Sequence, residues 1–188
     1  MSPEELRAFV EAVLLVVRSP VSAQQIADAA GGDGADVARI EALLEELRSA
    51  WERPDSGLRV EKVAGGWRTV TPAWLDPLLR GVLGMQQRQR LSQAALEVLA
   101  IVAHRQPVTQ PEINFIRGAS SATVLRTPLD RRMVRVAGRK KVVGKPFLYR
   151  TTREFLVHFG LDSLDELPEP ESLLEPEASS VADSLATN

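Results

Sequence analysis

Apolar residues recur at helical spacing along most of the chain, and twice they give way to a short alternating stretch. Leu6, Phe9, Val10, Val13, Leu14 and Val17 return every three or four residues and predict a first helix. Ser2 is its N-cap and Pro3 its first residue, with Glu4 and Glu5 in the positive first turn. Ser19-Pro20 stops it. Ser22 and Gln25 have capping-box spacing for a second helix, with Ile26 and Ala30 inward. Gly31-Gly32-Asp33-Gly34 reads as a loop. Asp36 opens a third helix whose buried stripe is Val37, Ile40, Leu43, Leu44 and Leu47, reaching about Trp51. Leu58 to Val63 then alternates, Ala64-Gly65-Gly66 turns, and Trp67 to Val70 returns as the second strand of a hairpin. Thr71-Pro72 caps a further helix with Trp74, Leu75, Leu78 and Leu79 on one side.

The same order follows a second time. Ser92 caps a helix whose core side is Ala95, Leu96, Leu99, Ile101, Val102 and Ala103. Thr109 and Glu112 form another capping box around Pro111, with Ile113 and Ile116 expected to be buried. Arg117-Gly118 ends that helix. Ser120 or Ser121 caps a third, carrying Val124, Leu125 and Leu129, in which Pro128 predicts a kink. Met133 to Val136 is a strand, Gly138 to Pro146 a wing loop, and Phe147 to Tyr149 the return strand. Thr151 or Thr152 caps a last helix through His158, closed by Gly160. Helices followed by a hairpin in this order make a winged helix. Ser19-Pro20-Val21-Ser22 recurs as Gln106-Pro107-Val108-Thr109, 87 residues later, and Arg18, Ile26, Gly31 and Val37 align with Arg105, Ile113, Gly118 and Val124 at that offset. So long an offset means a duplicated domain, since solenoid repeats run roughly 20–50 residues. The expected fold is mainly α with small β-hairpin wings. Two tandem winged-helix domains span 1–81 and 91–168, a polar linker spans 82–90, and a disordered acidic tail, rich in Pro, Glu, Ser and Ala, spans 169–188.

Composition narrows the chemistry. Cysteine is absent, which removes disulfides, thiolate nucleophiles and zinc–cysteine sites, and suits a cytosolic protein. The run FVEAVLLVV is too short to span a bilayer, and MSPEELR has the wrong polarity for a secretory signal. The two histidines, His104 and His158, fall at helix ends, where a structural role is expected. Gly138 to Lys145 is not a phosphate loop: five residues separate its glycines, and Pro146 stands where Ser or Thr should hold magnesium. No catalytic residues, metal ligands or cofactor-binding residues are assigned.

Charge is segregated. Arg131 to Arg153 holds nine Lys or Arg and no acid, and Glu154 to Asn188 holds nine Asp or Glu and no base. Either this is a solvated face with a solubilising tail, or the basic run is a contact surface. Helix three of the first unit carries Glu41, Glu45 and Glu46, which phosphates would repel. Helix three of the second offers Arg126, Arg131 and Arg132 but no Asn or Gln to read adenine. Non-specific phosphate contact through Arg139, Lys140, Lys141 and Lys145 remains open. Phe115 and the wing residues Val142 and Val143 are apolar at outward positions, which suggests protein contact. Trp51, Trp67 and Trp74 surround the first hairpin as core or as a dimer surface.

The stretches LSQAALEVLAIVAHRQPVTQPEINFIRG and VLRTPLDRRMVRVAGRKKVVGKPFLYRTTREFLVHFGLDSLDELP resemble the segregation and condensation protein B family, densely from Leu91 to Pro168. The first unit matches in layout and in Ser19-Pro20-Val21-Ser22. The resemblance implies a cytoplasmic, nucleoid-associated subunit of bacterial condensin without enzymatic activity. It implies a homodimer, formed largely through the first winged helix, that binds the kleisin and through it the ATPase of the structural-maintenance-of-chromosomes complex. The sequence departs from the family pattern at Phe115 and Pro128. The candidate partner face is Phe115, Arg117, Arg126, Arg139, Lys140, Val142 and Tyr149, and the candidate dimer face is Trp51, Trp67 and Trp74. The reading of a different class is a winged-helix DNA-binding transcriptional regulator, motivated by the basic run.

Overall fold

In the computed structural model, which describes residues 1–31, 36–84 and 90–169, the first apolar stripe forms α1 (Pro3–Val16). Its capping box is complete: the Glu5 amide donates to Ser2 Oγ, and the Ser2 amide donates to the Glu5 carboxylate at 2.7 Å. Ser22 and Gln25 start α2 (Ala23–Ala30) in the same way, and Asp36 caps α3 (Val37–Trp51). The three helices bury Leu6, Val10, Leu14, Ile26, Ile40, Leu44 and Leu47 against the hairpin β1 (Arg59–Val63) and β2 (Gly66–Val70), which adds Val60 and Trp67. Of the glycine loop after α2, only Gly31 lies within the described residues.

The hairpin pairs Val63 with Gly66, leaving Ala64-Gly65 as a two-residue turn. Both turn residues have positive φ, 52° and 68°, which matches the right-handed twist of the strands. Val21 then bridges Trp67: each residue's amide donates to the other's carbonyl, at 2.9 and 2.8 Å. The turn after α1 thus lies along the edge of the hairpin.

A 3-10 turn (Ala73–Leu75) leads into α4 (Asp76–Leu83), which buries no residue of its own and continues beyond 81, the expected domain end. Thr71-Pro72 makes no side-chain cap. Residues 85–89 of the expected linker and 170–188 of the expected tail lie outside the described residues.

The second half runs α5 (Gln93–Arg105), β3 (Val108–Thr109), α6 (Gln110–Arg117), α7 (Arg126–Asp130), β4 (Val134–Arg139), β5 (Phe147–Thr151) and α8 (Arg153–Phe159), then a 3-10 turn (Leu164–Glu166). Its sheet has the order β3-β5-β4, with Val108 opposite Tyr149. The repeated tetrapeptide therefore does the same thing twice, and the aligned Gly31 and Gly118 both end the following helix at positive φ, 73° and 69°. The Gln106 side chain fastens this turn to β5, accepting from the Thr151 amide at 2.9 Å and donating to Ala103 O at 3.1 Å. The two cores share no buried residue: one extends from Leu6 to Trp67, the other from Val98 to Phe155. The architecture is mixed α and β with two small antiparallel sheets.

Several expectations need correction. The third helix of the second half is a single short turn, and neither Ser120 nor Ser121 caps it. Pro128 is not an interior kink. It occupies the first turn of α7, where its missing N–H is not required, and its ring is buried. Ser121 is fully buried, and its amide donates to Asn114 Oδ1 at 2.8 Å. β4 continues past Val136 to Arg139 through an irregularity at Gly138. Ile116 is half exposed rather than buried.

The halves meet through polar contacts at the first hairpin turn. The Ala64 amide donates to Leu161 O at 2.9 Å, and the Gly65 amide to Asp162 Oδ1 at 2.8 Å. Arg153 donates to Ala64 O at 3.2 Å and to Pro20 O at 2.9 Å, and Arg68 donates to Val157 O at 3.3 Å. Lys62 and Asp162 pair at 3.7 Å. Gly66 stands where this crowding is greatest. A Cβ there would lie 3.0 Å from the Pro20 carbonyl carbon and 3.1 Å from the Arg153 guanidinium. Gly66→Ala should therefore destabilise the chain by about 1–3 kcal/mol, because the Val21 bridge fixes the backbone it strikes. Urea unfolding followed by tryptophan fluorescence checks this, and an unchanged midpoint would contradict it.

Candidate partner interface

The best-defined surface in the second half is built from α6 and the loop between β4 and β5. The anchor is Glu112, third residue of α6. One carboxylate oxygen accepts from the Thr109 amide at 2.8 Å and the Thr109 hydroxyl at 2.7 Å, completing a capping box. The other accepts from Lys140 Nζ in a close ion pair. The Lys140 side-chain bond leads, and the two Thr109 bonds add to it, in holding the Glu112 carboxyl down to about 2. One side chain thus fixes both the start of α6 and the wing loop.

The loop is itself ordered. The Lys145 amide donates to Val142 O, and the Lys140 amide to Pro146 O, both at 2.9 Å. Arg139 folds back over the Phe147 ring, 3.9 Å from its centroid, and donates to Lys145 O at 3.0 Å. Outward stand two valines and the exposed Lys141 and Lys145. Val143 is wholly exposed, Val142 about half. Phe115, one turn along α6 from Glu112, is 88% exposed, beside half-exposed Ile116. A shallow groove along this face is lined by Arg105, Pro107, Val108, Glu112 and Ile116.

The residues singled out from the sequence separate in three ways. Phe115 and Val142 are surface, and Lys140 and Arg139 lie beside them in the roles just given. Arg117 is a brace rather than a free cation: it pairs with Glu97 at 2.8 Å and donates to Ser120 O at 2.9 Å. Arg126 is exposed on α7 and faces Asp130 at 3.6 Å. Tyr149 is a core residue, 7% exposed, so its side chain is not part of the outer surface. The tryptophans divide likewise. Trp67 is buried in the first core at 2%, a correction to its reading as dimer surface. Trp51 is half-buried against that core, and its carbonyl accepts from Arg59 at 2.7 Å. Trp74 stands 62% exposed.

Sequence reasoning missed part of the Trp74 surface. Trp74, Leu78 and Val82 recur every four residues, and all three are exposed, with Leu83 beside them. The signal was present: Val82 continues the spacing of Leu78, but it had been assigned to a linker. Among the described residues, no cluster of three or more His, Cys, Asp or Glu could hold a metal ion, and no helix is long and apolar enough to cross a membrane.

Residues 8–170 match the family described as segregation and condensation complex subunit ScpB. The chain is 43% identical to segregation and condensation protein B of Syntrophotalea carbinolica over 89% of its own length and 83% of the relative's. It is 42% identical to the protein of the same description from Moorella thermoacetica, over 88% and 83%. The crystal structure of ScpB from Mycobacterium tuberculosis is 34% identical, covering 86% of this chain and 98% of that one, with a TM-score of 0.41.

Glu112 generates a pH prediction. Its folded pKa is depressed from 4.5 to about 2, so its contribution to stability is complete above about 4.5 and is lost as pH falls through about 2. The stability difference between wild type and Glu112→Gln should therefore be constant from neutral pH to about 5 and shrink between about 4.5 and 2. Thermal unfolding of both proteins across that window measures it. A difference that persists at pH 2 would remove the ion pair as its cause.

Proposed function

The chain belongs to the ScpB family of segregation and condensation complex subunits, and on that premise we propose that it is a non-catalytic accessory subunit of a bacterial condensin, acting as a homodimer that binds the kleisin. ATP turnover then belongs to the ATPase that the kleisin bridges, and the chain works in the cytoplasm on the nucleoid. Two winged-helix domains, 1–81 and 91–168, separated by 82–90 and followed by an acidic tail from 169, are the organisation we assign. The repeated tetrapeptide at the edge of each sheet supports the duplication.

The observation that carries the reading is the apolar surface that each half leaves uncovered. Along the 3-10 turn and α4, Trp74, Leu78 and Val82 form an exposed stripe. An exposed aromatic at the head of an apolar helix stripe suits a symmetric helix-to-helix contact. We assign dimerisation to it, together with Trp51. On α6 and the wing, Phe115 and Val142 with the cations Arg139 and Lys140, flanked by Arg117 and Arg126, suit an amphipathic segment of the kleisin.

The reading as a sequence-selective regulator has less behind it. A recognition helix must lie in a major groove. α7 is five residues long, and α3 turns Glu41, Glu45 and Glu46 to solvent. The wing's Lys140 is engaged by Glu112.

Two measurements test the proposal. Mixing the chain with the central segment of its kleisin should give one co-eluting peak on size exclusion, and Phe115→Asp should weaken that complex by roughly tenfold or more, the scale of a central aromatic anchor. Two separate peaks for the wild-type pair at micromolar concentration would refute the partner assignment. Light scattering on the Trp74→Asp, Leu78→Asp double variant should show a monomer where the wild type shows a dimer, and an unchanged dimer would move the contact elsewhere.

A further inference from the structure

Arginines from both halves of the chain converge on one cleft. Arg18 follows α1, Arg68 lies on β2, Arg131 follows α7 and Arg153 opens α8. Together they line an open space of about 720 Å³, with Met133 and Val157 as apolar wall. Glu154 is the one acid among its lining residues. Glu61, outside the lining, engages Arg68. With Arg68 engaged by Glu61, Arg18 and Arg153 stand against Glu154 in this cleft, in a chain whose net charge is −2.

The charge at Arg153 is oriented without being cancelled. Its guanidinium donates to two backbone carbonyls, Ala64 O and Pro20 O, and among the described residues it meets no carboxylate. Arg18 likewise has no ion pair among the described residues. The contacts that join the two halves therefore also fix a positive field between low-dielectric walls.

The positive strip continues beyond the cleft. β4 begins just after Met133, and Arg135, two residues on, lies directly opposite Arg150 of β5 in the ladder. Both are exposed. Like charges directly opposed across a sheet are destabilising, and a polyanion laid over them would reverse that cost. Between cleft and ladder, Arg132 is exposed at φ 56°, held there as Thr152 donates to its carbonyl and to that of Met133. In the wing, Lys140 meets Glu112 and Arg139 covers Phe147, while Lys141 and Lys145 are exposed.

We propose that this cleft, together with the Arg135–Arg150 pair, is a phosphodiester track that holds the backbone of duplex DNA without reading sequence. Guanidinium forks match phosphate oxygens, and no Asn or Gln lines the cleft to reach base edges. The wing and α6 stay free for a protein partner, so the track does not depend on the kleisin assignment.

Fluorescence anisotropy with the full chain and a labelled duplex of scrambled sequence, about 30 base pairs long, tests this at about 50 mM salt and upward. Wild-type binding should fall steeply as salt rises, and the Arg18→Glu, Arg135→Glu, Arg150→Glu variant should bind roughly tenfold or more weakly. Arg150→Glu alone should weaken binding while raising the thermal midpoint, because it replaces a repulsive cross-strand pair with an attractive one; this separates lost contact from lost folding. A Lys141→Glu, Lys145→Glu wing variant should bind within about twofold of wild type. The proposal is overturned if the wing variant loses binding and the track variant does not. It is also overturned if the wild type binds no duplex at low salt, whether or not pyrophosphate or polyglutamate occupies the cleft.

Discussion

Each half of the chain rests on one valine that turns a helix end into the edge of a sheet. Val21 exchanges both backbone hydrogen bonds with Trp67, and Val108 pairs with Tyr149. An isolated two-stranded hairpin is marginal in water, so the edge contact and the helices beneath it are what make each hairpin stable. The aromatic partner of each valine turns inward and fills the core below. The proline before each valine needs no amide partner, and the capping residue after it starts the next helix at once. Four residues thus end one helix, join a sheet and begin another helix.

That constraint decides what is left on the outside. With Trp67 and Tyr149 committed to the cores, exposed apolar area falls on α4, the second turn of α6 and the wing loop, and also on Leu15 and Val16 at the end of α1. Neither core extends across to the other, so the halves are joined by polar contacts at a hairpin turn and not by a shared apolar interface. Polar junctions of this kind fix direction better than they add stability, because each bond replaces one to water. The near approach of Gly66 to Arg153 shows how little room the junction leaves.

Most of this was readable from residue order because local signals agreed with one another. The capping boxes at Ser2, Ser22 and Thr109 are set by residues three apart, and the structure shows all three. The misses share a cause: they turn on which face a residue presents once distant elements meet. Trp67, open in sequence between core and dimer surface, and Tyr149, assigned to the partner face, are both placed inside by their valine partners. Pro128 looked like a kink because the helix was read as starting at Ser120 or Ser121; Val124 and Leu125 belong instead to the turn that precedes α7. Val82 and Leu83 were read as linker because polar residues follow them. The junction at Arg153 and Asp162 had no sequence signal, since its partners are mostly backbone carbonyls and amides about 90 to 130 residues away.

Charge makes the same point more sharply. Counted along the chain, the wing is the most basic segment, and it invites assignment as the anion-binding surface. In the folded chain, Lys140 is spent on Glu112 and Arg139 on Phe147, and the wing becomes an ordered platform for apolar residues. Charge that no carboxylate cancels among the described residues lies also on Arg18 and Arg153, 135 positions apart, which no local window would group. What an arginine offers a ligand is set by what already satisfies it. A carboxylate cancels its charge, whereas a backbone carbonyl aims it and leaves the charge in place. By that criterion Arg153 is the residue through which the joining of the two halves and the field between them are one arrangement.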